Sequence, residues 1–331
     1  MREKANSVKA QQRLILVLQL QQFFIKKLQA VAEELGKNAQ FIPVEWLRDN
    51  GKHGGGVRFI AKEGDLFNRA SINVSQIHFA DQPEKSLLSA TALSAIIHPL
   101  HPLTPSVHLH ISWSELKNGT SYWRIMVDLN PAIANAYDKE LFDNTLKAIS
   151  GRYFALATKL GDDYFYIPAL QRFRGVSHFY LERFNPESGG EMSSPPAFAE
   201  SVISCYCAIV KQHLLSAKEP SEQQKLIQLN YHTLYFYQVV TLDRGTAAGL
   251  LAHSQNDIGT LGSLPSHINR VLLESWIKKT PAPQKKLIER LLNVLPEADI
   301  CKICNEVKVE IAEQMRLHYL SPCPSGVSPE S

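Results

Sequence analysis

The sequence predicts an α+β fold, in which strands and helices are mixed without a regular βαβ alternation. Beyond about residue 53 the hydrophobic period changes, from helical spacing to short runs of alternating β-branched and aromatic residues. A hairpin signal follows at once, with Glu63 and Gly64 standing between two extended runs in "GVRFIAKEGDLFNRASINVSQIHFA". Later extended runs, "SVHLHISW", "SYWRIMVDLNP" and "HFYLERF", recur with helical stretches such as "DKELFDNTLKAISGRYFALATKL" among them.

Taken in order, the apolar run "LILVLQLQQFFIKKL" from Leu14 is broken by Gln19, Gln21, Gln22, Lys26 and Lys27 well short of a membrane-spanning length. Leu14, Leu18, Ile25 and Leu28 fall on one helical face, so the run reads as a helix packed on the body of the protein, stopped by Gly36 and Asn38. "FIPVEWLRDNGKHGGG" reads as a loop-rich passage, and Gly54 to Gly56 as a chain reversal before a strand. No lysine or serine follows them at P-loop spacing, and no G-x-G-x-x-G is present. A helical region runs from Glu200 to Gln228, with Cys205 and Cys207 as buried free thiols. "YFYQVVTLDRGTAAGLL" reads as a strand entering a glycine-containing turn, and "PQKKLIERLLNVL" as the last helix. The tail "CPSGVSPES" is too poor in apolar residues to pack and is expected to fray.

Composition is that of a globular protein, 44% hydrophobic and 20% charged, and a formal net charge of +3 gives no electrostatic reason for a nucleic-acid or membrane-surface partner. With no secretory leader read at the start, the odd number of cysteines, 5, is expected to be reduced in the cytoplasm. Cys301 and Cys304 form a CxxC without a second pair, and Cys323 and His318 alone do not complete a zinc set.

The most informative stretch is "HPLHPLTPSVHLHISW", which holds His98, His101, His108 and His110. Strand alternation puts His108, His110 and Ser112 on one face and Val107, Leu109 and Ile111 on the other. The polar face either meets water or lines a cleft. Two readings of the imidazoles stay open, a metal site and the lining of a substrate pocket; H-x-H spacing is common on polar strand faces, which favours the lining.

These motifs, in this order, resemble the oxygen-dependent coproporphyrinogen III oxidase family: "LQQFFIKKLQ", "GGGVRFIAKEGDLFNRASINVS", "LSAIIHPLHPLTPSVHLHISW", "YWRIMVDLNP", "DDYFYIPALQRFRG" and "VTLDRGTAAGLL" with "GSLP". The resemblance covers roughly residues 18 to 296 and makes residues 1–296 the family domain, leaving 297–331 as a C-terminal extension, partly helical with a disordered tail. It implies a single domain with a broad, mainly antiparallel sheet, helices on both faces, and a homodimer. It further implies oxidative decarboxylation of two porphyrinogen propionates to vinyl groups, with dioxygen as co-substrate and no metal or organic cofactor.

Residue by residue, Ser94, His98, Pro99, Pro102, Pro105 and His108 keep the family's substrate-contacting spine, and the resemblance gives His108 the proton-donor role. Asp128 and Pro131 keep most of a "DLTP" signature, with Asn130 for threonine, and Asp243, Arg244, Gly245 and Thr246 keep "DRGT" whole. His110 and Ser112 stand where the family has Asn-x-Arg, and His253, Ser254 and Gln255 where it has a "GGR" loop, so two arginines are absent from those places. Tyr180, Leu181, Glu182 and Arg183 replace "FFDD", which makes Glu182 the acid for the pyrrole nitrogens, and Arg124 to Val127 replace a glycine-rich stretch. Expected site residues are therefore His108 and Glu182 for chemistry, and Ser94, His98, His110, Arg58, Asp128, Asp243 and Arg244 for an acidic, tetrapyrrole-like substrate. The alternative is a diverged homologue that acts on another acidic heteroaromatic or binds a tetrapyrrole without catalysis.

Overall fold

The computed structural model describes residues 2–61, 64, 66–185 and 192–321. Helix α1 (Val8–Glu34) precedes six strands that pair in chain order: β1 (Phe41–Leu47), β2 (Gly54–Ala61), β3 (Phe67–His78), β4 (Leu87–Pro99), β5 (Ser106–Leu116) and β6 (Ser121–Asn130). The chain then makes α2 (Ala136–Ser150), α3 (Phe154–Phe165) and the two-residue strands β7 (Tyr166–Ile167) and β8 (Arg172–Phe173) before β9 (Ser177–Phe184) closes the sheet beside β6. Every pairing in this seven-stranded sheet is antiparallel. The fold is α+β, as the sequence predicts.

The remainder is mostly helical: α4 (Pro195–Leu215), α5 (Glu222–Leu242), α6 (Arg244–Ala252), α7 (Asp257–Thr260), β10 (His267–Asn269), α8 (Arg270–Ser275), α9 (Ala282–Val294), β11 (Ile300–Lys302) and α10 (Asn305–Leu320).

Alternation divides the sheet into an apolar and a polar face. Ile72, Ala95, Leu109, Val127 and Phe179 come into register on the apolar face, which packs with Phe24, Leu28, Phe198 and Tyr206 of α1 and α4 into the main core. By length and composition α1 is long and apolar enough to cross a membrane, but here it buries Leu14, Val17, Leu20, Phe24 and Leu28. Its buried Gln21 is fully satisfied as a donor, because the amide reaches the Val57 and Ile72 carbonyls at 2.9 and 2.8 Å and ties helix to sheet. A second core gathers α5, α8, α9 and α10 on the other side, with Ile96 of β4 joining it from the sheet.

Four sequence expectations change. The passage read as loop contains β1, whose alternation is interrupted by Pro43; a proline is tolerated because β1 is an edge strand. Gly54 to Gly56 are the first residues of β2 itself. Gly54 has φ +94°, and a Cβ there would come within 2.1 Å of the Gln76 carbonyl oxygen. "YFYQVV" is helix α5, with every residue from Tyr231 to Thr241 buried, and a continuous apolar run does not distinguish a buried helix from a buried strand.

The helix read as last, α9, is followed by α10. Residues 297–320 are part of the second core: β11 pairs with β10, and Cys301, Ile303, Ile311 and Met315 are buried there. Cys205, Cys207, Cys301 and Cys304 are free thiols, while Cys323 and the tail lie outside the described residues.

Candidate active site

The polar face is built from rows of side chains brought level by the antiparallel register. One row runs Arg58, Asn73, Ser94, His110, Met126, Tyr180, and the next runs Ser71, Ile96, His108, Asp128, His178. Around it stand α3, whose Tyr164 stacks on Tyr180 at 5.1 Å; α5, reached by Arg174; and the segment before α7, where Asn256 meets Arg58. Two small cavities lie elsewhere, against Leu14 and Val74 and against Arg13 and Trp123.

Asp128 is the electrostatic centre. It is wholly buried, at 0% exposure, and every bond it accepts is charge-assisted or strong. Arg174 donates to Oδ2 through Nε at 2.9 Å and Nη2 at 2.5 Å, Asn130 donates to the same oxygen at 2.5 Å, and His108 Nδ1 donates to Oδ1 at 2.9 Å. Burial alone would raise the carboxyl's pKa; Arg174 and His108 outweigh it and hold the group well below the usual carboxylate range. Arg174 is in turn clasped between the rings of Phe165 and Tyr235, at 4.5 and 4.9 Å, and donates Nη1 to Gln238 of α5 at 2.5 Å.

The consequence falls on His108. With Nδ1–H committed to Asp128, its tautomer and ring plane are fixed, and Nε2 has no hydrogen-bond partner among the described residues. The ring is half-buried on the polar face, so Nε2 is the nitrogen that can give or take a proton there. Beside it, burial pushes the His110 imidazole down to about 3, helped by His108 and Arg124, so His110 is a neutral donor and acceptor. Neither His110 nor Ser94 makes a side-chain hydrogen bond within the described chain.

Glu182 is exposed at the outer end of the face, where it pairs with Arg124 and accepts from the Tyr180 hydroxyl at 2.9 Å. What burial it has opposes ionisation; the Arg124 hydrogen bond outweighs it and lowers the pKa. Tyr164 donates to Asp243 at 2.8 Å, and the other Asp243 oxygen caps α6 by accepting from the Thr246 amide and hydroxyl at 3.0 and 2.5 Å. Arg244 follows, exposed in the first turn of α6.

The structure therefore brings Arg58, Ser94, His108, His110 and Glu182 to one face, with Arg244 nearby. It corrects three expected substrate contacts. His98 is 0% exposed beneath α5, bonded to Ser106 Oγ at 2.9 Å and the Ser263 carbonyl at 3.1 Å and edged by Tyr235; it is covered by the second core. Asp128 is sealed from substrate by its own partners and acts by orienting His108. Asp243 likewise has both oxygens taken. Sequence reasoning passed over Arg174, Gln238 and Tyr164. The available signal was thermodynamic: a carboxylate in the middle of an apolar strand requires a buried cation.

Among the described residues no cluster of histidine, cysteine and acidic side chains has the makings of a metal site. The family model described as Coproporphyrinogen III oxidase matches residues 14–294. The chain is 26% identical over 283 residues to the mitochondrial oxygen-dependent coproporphyrinogen-III oxidase of Rattus norvegicus, covering 78% of this chain and 62% of the rat protein. It is 26% identical over 304 residues to the oxygen-dependent coproporphyrinogen-III oxidase of Drosophila melanogaster, covering 84% and 76%. Against the protein of that name from Rickettsia akari it is 26% identical over 272 residues, covering 75% and 94%.

Proposed function

Since the chain belongs to the coproporphyrinogen III oxidase family, we propose that it carries out the oxygen-dependent oxidative decarboxylation of porphyrinogen propionates in heme biosynthesis. The observation that carries this reading is the Nε2 of His108, without a partner among the described residues and held in one orientation by a buried carboxylate, on a face where Ser94 and His110 also make no side-chain hydrogen bond within the described chain. Each propionate would lose carbon dioxide while its neighbouring carbon gives up a hydride equivalent to dioxygen, and the balance calls for one proton to complete hydrogen peroxide. His108 Nε2 is the group placed to deliver it. Ser94 and His110 supply neutral hydrogen bonds to the macrocycle, and Glu182 supplies an acceptor for pyrrole N–H groups.

Dioxygen is the only co-reactant this proposal needs, and it includes no resident metal or cofactor. It also takes the chain as a cytoplasmic homodimer that neither binds nucleic acid nor inserts in a membrane. A second reading has its own observation. Arg124 and Met126 put bulk on the polar face and Arg124 clamps Glu182, an arrangement suited to holding a tetrapyrrole without turning it over, or to another acidic heteroaromatic.

The deciding experiment is anaerobic incubation of the protein with coproporphyrinogen III, then air and mass spectrometry. Two successive mass losses, each matching one decarboxylation, are expected. Tight binding with no mass change favours the binding protein, and neither binding nor turnover means another substrate.

A further inference from the structure

Buried Arg174 is answered by an acid, Asp128, and partly buried Arg316 by Asp257. Arg58 is not. It is 4% exposed on β2, yet among the described residues it forms no ion pair, and its one hydrogen bond is a long one from Nη1 to the Asn256 side-chain oxygen, 3.3 Å. Its Nε is buried and without a partner, and Nη2 has none among the described residues either. A guanidinium taken out of water with its side-on edge unanswered is unfavourable unless something supplies the missing charge.

We propose that Arg58 is a carboxylate-binding residue of the candidate site, its Nε/Nη2 edge gripping one propionate of the substrate in a bidentate pair. This rests on the reading of the polar face as a tetrapyrrole site and goes further by naming the anchor. Arg58 shares its cross-strand row with Asn73, Ser94 and His110, so a carboxylate on that edge lies level with the groups placed near the reacting side chain. Asn73 Oδ1 accepts from Trp46 at 2.9 Å, which turns its amide nitrogen into a second available donor, and the Ser94 hydroxyl is a third.

The surroundings are shaped for the guanidinium. Gly259 has no left-handed backbone that would demand glycine, but a Cβ there would fall 1.8 Å from Arg58 Nη1. Glycine at 259 is thus explained by the arginine opposite it, 201 positions away in the chain. Burial also lowers the Arg58 pKa with no acid acting against it, as expected for a cation waiting on a ligand. The chain lacks arginine at Ser112 and Gln255, where the family's signatures have one, so a guanidinium from β2 restores a carboxylate grip from a different direction.

The test measures the affinity of the full chain for coproporphyrin III and for its uncharged tetramethyl ester by fluorescence titration, in the unmodified protein, Arg58→Met and Arg58→Lys. Losing a charged bidentate pair is expected to weaken coproporphyrin III binding by about 10- to 100-fold in Arg58→Met. Arg58→Lys should recover part of that loss, the ester should bind all three alike, and melting of Arg58→Met should not fall. Equal affinity of Arg58→Met and the unmodified protein for coproporphyrin III overturns the assignment and leaves the proposed function standing. Parallel loss of both ligands in Arg58→Met, with lower melting, makes the arginine structural and also overturns it. Absence of coproporphyrin III binding by the unmodified protein overturns both.

Discussion

Asp128 serves two neighbours at once, as the counter-ion of Arg174 and as the acceptor that aligns His108. Asp128→Asn leaves a buried guanidinium without its charge, and a loss of about 3–5 kcal/mol is expected in urea unfolding. Combining it with Arg174→Met should cost less than the two single changes added together, because the double variant strands no charge. Full additivity would show that the pair is not coupled. His108→Gln keeps the volume but removes the proton carrier, and turnover of coproporphyrinogen III should fall by roughly 100- to 10,000-fold while the far-ultraviolet spectrum is unchanged. Strand alternation in the sequence was enough to place His108 and His110 together on one face. It could not show that Asp128 stands opposite His108, since that depends on register between strands. Nor could it separate Arg174 from Arg172, two residues earlier in the same short segment: one is buried at the centre of the site and the other is exposed.

At the scale of elements, β2, β3, β5, β6 and β9 were legible from their runs of β-branched and aromatic residues, whereas β4, whose Ser, Ala and Thr residues give a weaker signal, was not read as a strand. In the sheet β1 to β6 stand in chain order. Helix α5 was not legible either, because its buried stretch offers no polar side to set a period, and with it went the partner of Arg174, Gln238. Helix α3 illustrates how an element is positioned by one small residue. A Cβ at Gly161 would lie 2.7 Å from the Phe179 amide nitrogen of β9, so the helix sits directly on the strand. Close approach lets Asp162 accept from His178 Nδ1 at 2.7 Å and lets Tyr164 lie over Tyr180. Gly161→Ala would gain helix propensity yet force α3 outward, and overpacking of this kind is expected to destabilise by about 1–3 kcal/mol. Hydrogen exchange should rise along β9; unchanged protection there would mean that the helix does not depend on this contact.

For the whole molecule, the imidazoles of His232 on α5, His98 beneath it and His110 on the polar face set the response to acid. Burial holds His232 down at about 3 and His98 well below its ordinary value, each made worse by a neighbouring histidine. A histidine whose folded pKa is depressed binds its proton in the unfolded chain alone once the pH drops below about 6.5. Stability therefore falls with falling pH, by about 1.4 kcal/mol per pH unit for each such group between roughly pH 6 and 4. Asp128, held low, adds its own loss only below about pH 4. Urea midpoints across this range should show the slope, and His232→Phe should remove one proton's share; an unaltered slope would exclude His232 as a contributor. The sheet as a whole has two rims. Along β9 lies α3, while β1 has a strand neighbour on one side only. An open rim is a template on which another chain can add, and growth of that kind needs a continuous ladder of N–H donors. Pro43, which obscured β1 in the sequence, has no N–H to offer. The residue that makes the strand hard to read is also the one that makes it poor at recruiting a second molecule. Refolding Pro43→Thr should therefore give faster thioflavin-positive aggregation than the unmodified chain, and equal rates would mean the rim is guarded some other way.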